Sequence, residues 1–376
     1  MSKSRCLRRR AVLVLIALTV GAPATAAEPV PWTRCLRQRD KWYGGDEAVR
    51  IAGNVLLYQR ASGGWPKNID MARPLTDRQK AALLKAQRRT NATLDNGATH
   101  TQLRFLARVY TATKQQRFQA GFLKGMDYVL AAQYANGGWP QCWPSPRDYS
   151  RDITFNDGAM IGVMSVLREV ARKEPHYAFV DEARRKKAQT AVAKGIDCIL
   201  KCQIVVAGRR TAWCQQHDEK TFAPRPARSF EPVAICGGES VGIVEFLMSI
   251  EKPSPQVIEA VQAAVAWFDK VKLTGIRQEI RRDPAKPGGR DKVIVKDPAA
   301  GPLWARFYQI GTNRPIFGDR DGKVHYTMSQ ISHERRSGYA WYGTWPAGML
   351  ETSYRRWQKR HAPGRNVLKA DQGKPR

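Results

Sequence analysis

Two short segments, Thr93-Leu94-Asp95-Asn96 and Thr154-Phe155-Asn156-Asp157, each set a carboxylate beside a carboxamide at the mouth of an apolar helical pattern. Hard oxygen donors in such pairs suit a hard cation. After the first segment Leu103, Leu106 and Tyr110 fall at helical spacing, and after the second Met160, Val163, Leu167 and Val170 do the same. Two neighbouring helix mouths can aim these oxygens at one ion. The competing reading is helix capping, in which Asp or Asn accepts a hydrogen bond from a free backbone N–H. A cap needs one polar side chain, and here each segment offers two.

Two further stretches are too polar for a core. The first runs Trp213-Cys214-Gln215-Gln216-His217-Asp218-Glu219 and, past Pro224, through Arg225, Arg228 and Glu231, which reads as the wall of a site. His217 suits a general base, because an unperturbed imidazole titrates near neutrality, or an orienting residue bonded to Asp218 or a neighbouring turn. The second carries Asp319, Arg320, Arg335, Arg336, Tyr339 and Trp341. Guanidinium forks grip carboxylates bidentately and aromatic faces stack on sugar rings, a combination suited to an oligouronate. Asp319 to Gly322 do not complete an EF-hand loop, since its ligand ladder and closing Glu are missing.

Helices must position these loops. Thr76 with Gln79 forms a capping box, and Ser254-Pro255 opens another helix. Between them helical patterns cover 96–113, 117–133, 157–173, 181–203 and 238–249. Gly-Gly-Trp-Pro occurs at 63–66 and 137–140, and Gly343-Thr344-Trp345-Pro346 nearly repeats it, which suggests repeated helical hairpins. The expected architecture is mainly α, an (α/α) toroid with long functional loops, whose tryptophans close a barrel end or face sugar.

Composition narrows the partners. Residues 3–10 hold five positive charges, 11–21 are apolar, and Ala24-Thr25-Ala26 supplies small residues for cleavage, so 1–26 reads as a secretory signal and the mature chain as periplasmic or extracellular. The formal charge of +30 becomes +25 once those five leave, which favours a polyanion. Export and the lack of a nucleic-acid module favour an acidic polysaccharide over nucleic acid. No membrane span is expected in the mature chain, and a monomer is expected. Six cysteines remain after the signal, as bridges or buried thiols, without zinc spacing. Residues 27–352 read as the catalytic domain and 353–376 as a basic, solvated tail.

Taken together, Gly-Gly-Trp-Pro-Lys-Asn (63–68), Thr-Leu-Asp-Asn-Gly-Ala-Thr (93–99), Gly-Gly-Trp-Pro-Gln (137–141), Ile-Thr-Phe-Asn-Asp-Gly-Ala-Met (153–160), Trp-Cys-Gln-Gln-His-Asp (213–218), Ala-Arg-Ser-Phe-Glu (227–231) and Arg-Arg-Ser-Gly-Tyr (335–339) resemble the pectate lyases of polysaccharide lyase family 10. The resemblance spans Trp65 to Trp345. It implies an (α/α)3 toroid and cleavage of polygalacturonate by calcium-assisted anti β-elimination. It also implies calcium ligands at Asp95, Asn96 and Asp157 and an arginine Brønsted base at Arg228, with Arg225 close by in sequence. Lys67, His217, Asp218, Arg225, Arg320, Arg336 and Tyr339 are the candidates for contacting substrate. An arginine base needs neighbouring cations to oppose its charge, since free guanidinium stays protonated; Ca2+ with Arg225, Lys67, Arg320 or Arg336 would do this, giving an alkaline optimum. Two rivals stand beside this reading: a glycoside hydrolase with Asp95 and Asp157 as acid and base, and a non-catalytic binder of acidic polysaccharide.

Overall fold

The computed structural model describes residues 29–368. The signal segment and residues 369–376 lie outside them. Eleven α-helices run in order: α1 Trp32–Cys35, α2 Asp46–Tyr58, α3 Asp77–Ala86, α4 His100–Thr113, α5 Gln116–Ala131, α6 Ala159–Ala171, α7 Glu182–Cys202, α8 Glu239–Met248, α9 Pro255–Val271, α10 His333–Gly338 and α11 Tyr354–His361. The expected spans agree to within a turn at their starts. Thr76 closes its capping box, with Gln79 N–H donating to its hydroxyl at 3.3 Å and the Gln79 amide oxygen accepting from Thr76 N–H at 2.8 Å. Ser254 caps α9 through Val257 N–H, and Pro255 fills the first turn, where no N–H partner is needed.

The toroid is three antiparallel pairs, α4 with α5, α6 with α7 and α8 with α9. The first members contact one another in sequence, α4 to α6 to α8, and the second members do likewise, α5 to α7 to α9, while α2 packs on α4 and α5. This is the (α/α)3 arrangement. Its core is apolar at helical spacing: Leu103, Phe105, Leu106 and Val109 of α4 and Met160, Val163, Met164 and Leu167 of α6 are buried. Each such side chain contributes about 1.5–3 kcal/mol on leaving water.

Tryptophans set the repeat. Trp65, Trp139 and Trp213 stand 74 residues apart, and Trp304 is the fourth of the series. Each is buried, and each indole N–H donates to a carbonyl near the end of the preceding helix: Val55 of α2, Val129 of α5, Ile199 of α7 and Phe268 of α9, at 2.8–2.9 Å. The Gly-Gly-Trp-Pro tetrapeptide thus marks two repeats of four, and Trp345, the expected third, makes no such bond. Gly63 and Gly137 are required where they occur. Both have positive φ, and a Cβ there would meet the carbonyl oxygens of Lys124 and Lys194 at 2.4 and 2.1 Å.

Strands are short apart from the hairpin Ile276–Arg282 with Arg290–Lys296, in register from Ile276 opposite Lys296 to Arg282 opposite Arg290. A three-stranded antiparallel sheet joins Ile153–Thr154, Gln216–His217 and Pro224–Arg225 at the loop-rich end. The six described cysteines are free thiols, five of them buried. The expected solvated tail is a correction: α11 buries Tyr354 and Trp357 against the body, because its aromatic residues share one face. No helix among the described residues is long and apolar enough to cross a membrane.

Candidate active site

The tryptophan repeat builds the site. Each Trp carbonyl accepts a backbone N–H from the segment before the next inner helix: Thr93 to Trp65 at 3.0 Å, Thr154 to Trp139 at 3.0 Å and Cys236 to Trp213 at 2.7 Å. The following N–H crosses to the neighbouring repeat, always to the residue two beyond its Trp: Leu94 to Gln141, Phe155 to Gln215 and Gly237 to Arg306. Lys67, Gln141, Gln215 and Arg306 therefore hold equivalent places. Their side chains turn onto the acids and amides of the inner-helix mouths. Gln141 donates to Asp95 at 2.8 Å, Gln215 to Asn156 at 2.9 Å, Lys67 pairs with Asp95, and Arg306 pairs with Glu239.

The two paired segments form matching turns that pack together. Asn96 (φ 50) and Asp157 (φ 49) are both left-handed, a conformation Asn and Asp tolerate better than most residues and one that accumulates at functional sites. No side chain of either segment caps α4 or α6. The capping alternative fails for Asn156 too: its Oδ1 accepts from Gln215 and its amide donates to Asp157 at 3.3 Å. Asn96 bonds Asn68 through its amide nitrogen at 2.9 Å, leaving the carbonyl oxygen without a donor among the described residues.

Electrostatically the centre is an acid pair with partial compensation. The Asp157 pKa is raised by burial first and by the Asp95 charge next, with Arg306 opposing at 4.0 Å. An all-oxygen set of two facing carboxylates and one free amide oxygen fits calcium. Glu239 lies 6% exposed behind it. Burial works against the Arg306 charge, but Glu239 and Tyr339 outweigh it and raise the pKa, and the guanidinium stacks 4.7 Å over the Tyr339 ring.

Arg228 stands at the rim, 45% exposed, gripping Glu231 through two bonds of 2.8 and 2.5 Å and lying 4.6 Å over Phe230. The Glu231 hydrogen bonds raise its pKa further. This is the reverse of the expected environment, in which neighbouring cations lower it. Glu231 is buried and also accepts from the Tyr339 hydroxyl at 2.8 Å, which connects through Gln215 at 3.5 Å to the inner ring.

Residues 59–350 match the family described as pectic acid lyase. The chain belongs to the family 10 pectate lyases. Among solved structures it is similar to the family 10 polysaccharide lyase from Cellvibrio cellulosa, with 32% identity and a TM-score of 0.71 over 86% of this chain and 94% of that one. A mutant of that enzyme in complex with trigalacturonic acid matches equally, covering 95% of its chain. Comparison with curated proteins gives no match. The hydrolase and non-catalytic readings are set aside by membership of a lyase family.

Several expected substrate contacts of the lyase sit elsewhere. His217 is fully buried, with Nε2 accepting from Cys214 N–H at 3.0 Å and Nδ1 donating to the Phe222 carbonyl at 2.8 Å. Burial pushes its pKa down to about 4, so it is a neutral strut, neither base nor substrate ligand. Arg336 is held by Asp291 through two 2.8 Å bonds, 11% exposed, and fixes α10 to the long hairpin. Asp218 uses one oxygen to tie its own turn, through Lys220 and Thr221. Arg225 is exposed, and Arg320, also exposed, pairs with Glu334 at 3.2 Å and lies 5.1 Å over Phe230 beside Arg228. Tyr339 lies in the site, between Glu231 and Arg306. Sequence reading passed over Gln141, Gln215, Glu231, Glu239 and Arg306, and over Arg88, Arg89 and Arg147, which line a groove leading to Lys67. The signal for the inner ring was the spacing Trp-x-Lys, Trp-x-Gln, Trp-x-Gln, Trp-x-Arg.

Proposed function

We propose that this lyase is exported and cleaves polygalacturonate by calcium-dependent anti β-elimination, giving 4,5-unsaturated oligogalacturonates. The observation that carries the reading is the facing pair Asp95 and Asp157, with Asn96 beside them and Lys67 and Arg306 turned onto their charge. Asp95, Asn96 and Asp157 are the residues that would hold calcium. When bound, the cation supplies positive charge against a uronate carboxylate as the C5 proton leaves, which lowers the barrier in the chemical step.

The remaining work falls to side chains. Arg228 takes the C5 proton, and the electron pair forms the C4–C5 double bond as the C4–O bond breaks. Glu231 orients its guanidinium plane but holds it protonated, so activity should rise with pH. Arg306, stacked on Tyr339, can exchange Glu239 for a substrate carboxylate, and Lys67 can leave Asp95 for another. Arg225 and Arg320 extend this basic wall along the substrate, and Arg88, Arg89 and Arg147 give it a matching approach. The saturating partner is thus an oligogalacturonate, consistent with the trigalacturonic acid bound by the similar Cellvibrio enzyme.

The test is polygalacturonate with calcium or chelator, following the ultraviolet absorbance of the conjugated double bond. Absorbance that rises only with calcium is expected. Chain shortening without absorbance, or equal rates in chelator, would overturn the mechanism.

A further inference from the structure

We propose that Asp152, Asp218 and Glu219 form a second site for a hard divalent cation of the calcium class, separate from the Asp95–Asp157 pair. One carboxylate oxygen from each lies within 4.8 Å of the others. The three come from two loops brought together by sheet pairing. Asp152 leads into the strand Ile153–Thr154, Asp218 follows the strand Gln216–His217, and the register Ile153 opposite His217 sets them side by side.

A cluster of acids on a surface would mean little, but Asp152 is not on the surface. It is 3% exposed, and its carboxylate has no hydrogen-bond or ion-pair partner among the described residues. A buried carboxylate without a partner is costly and calls for a counter-charge. The other two are held so that they face it. Asp218 spends Oδ1 on Lys220 N–H, Thr221 N–H and the Thr221 hydroxyl, at 2.9–3.0 Å, which leaves Oδ2, whose nearest cation is Arg225 at 3.9 Å. Glu219 is fixed through its backbone carbonyl, which accepts from Asn136 at 2.5 Å, and its carboxylate is likewise without a partner among the described residues.

The local field is negative in a chain whose net charge is +30. Burial pushes the Asp152 pKa up to about 6, with Arg225 opposing and Glu219 and Asp218 adding. The Tyr134 hydroxyl is pushed up to about 12 by burial and then by the same Glu219 and Asp152. Three carboxylate oxygens with water completing the shell suit calcium rather than a soft metal. Bound there, a cation would tie the loop before Ile153 to the turn between Gln216–His217 and Pro224–Arg225. That turn leads directly to Arg228.

The experiment is calorimetric titration with calcium, and with terbium as a luminescent probe excited through nearby aromatic rings, on the full chain without any saccharide. The proteins are wild type, Asp152→Asn, Glu219→Gln and Asp157→Asn, each checked for fold by circular dichroism. One equivalent is expected in wild type and in Asp157→Asn, with at least tenfold weaker binding in Asp152→Asn and Glu219→Gln. Glu219 is only half-buried, so its variant keeps the test open if Asp152→Asn does not fold. Wild-type affinity in both cluster variants, loss in Asp157→Asn instead, or no saccharide-free binding in wild type would each overturn the proposal. Since no substrate is present, failure of the lyase mechanism would leave this result untouched.

Discussion

Replacing Glu231 by Gln separates the two tasks that this buried carboxylate performs for Arg228. The glutamine keeps the shape and can still accept the Tyr339 hydroxyl, but the ion pair is gone. In the native protein that pair has two bonds of 2.5–2.8 Å, and Glu231, despite its burial, is held below its ordinary pKa by Arg228. Hydrogen bonds to charged groups contribute about 1.5–3 kcal/mol each. Arg228 is 45% exposed, so water already screens and solvates it, and a net contribution of about 1–1.5 kcal/mol is reasonable. At about 1.4 kcal/mol per pK unit this is roughly one unit. The sign follows from the charge: Glu231 favours protonated Arg228, so its removal eases deprotonation. The rising limb of kcat/KM against pH, read by product absorbance at saturating calcium, should move about one unit toward lower pH. A limb that stays in place or moves upward would refute Arg228 as the titrating base, whatever the change in amplitude.

Lys67→Met removes the ammonium from Asp95; calorimetry should find calcium bound about fivefold tighter without substrate, a shift of about 1 kcal/mol, while KM for polygalacturonate rises. His217 is held neutral by burial, so its contribution is complete above its unfolded pKa near 6.5 and is lost as pH falls through about 4. That is about 3 kcal/mol, so His217→Asn should flatten the fall in Tm between pH 7 and pH 4, with His100, pushed to about 3, retaining part of the slope. An unchanged slope would show that His217 is not the buried neutral group inferred from its two hydrogen bonds. Trp213→Phe deletes the indole N–H from the Ile199 carbonyl and should cost about 1 kcal/mol or more in chemical denaturation, with the pH profile of activity unmoved.

Much of the fold was legible because local rules and tertiary packing agree here. Thr76-x-x-Gln79 and Ser254-Pro255 cap helices through their own backbones, and the apolar faces of α4 and α6 follow directly from spacing. The paired Asp and Asn segments also announced themselves, since two polar side chains exceed what a helix mouth requires. Their left-handed φ at Asn96 and Asp157 and the absence of capping then gave those residues a role that residue type alone left open.

His217, Arg336 and Trp345 show where sequence reasoning stops. Residue type says what a side chain can do, and burial and partners decide which of those things it does. A histidine in a polar loop can titrate near neutrality until Cys214 and Phe222 occupy both its nitrogens in a dry interior. An arginine beside a tyrosine can bind a uronate until Asp291, 45 residues earlier, takes its fork. The sequence by itself determined the helical repeat, the family and the acid pair, because each rests on local spacing or on motifs carried within one segment. Only the tertiary structure decided that Lys67, Gln141, Gln215 and Arg306 form one ring over Asp95, Asn156 and Glu239. Those contacts are made across repeats by backbone bonds such as Leu94 to Gln141 and Gly237 to Arg306, and no local propensity specifies a bond between segments dozens of residues apart.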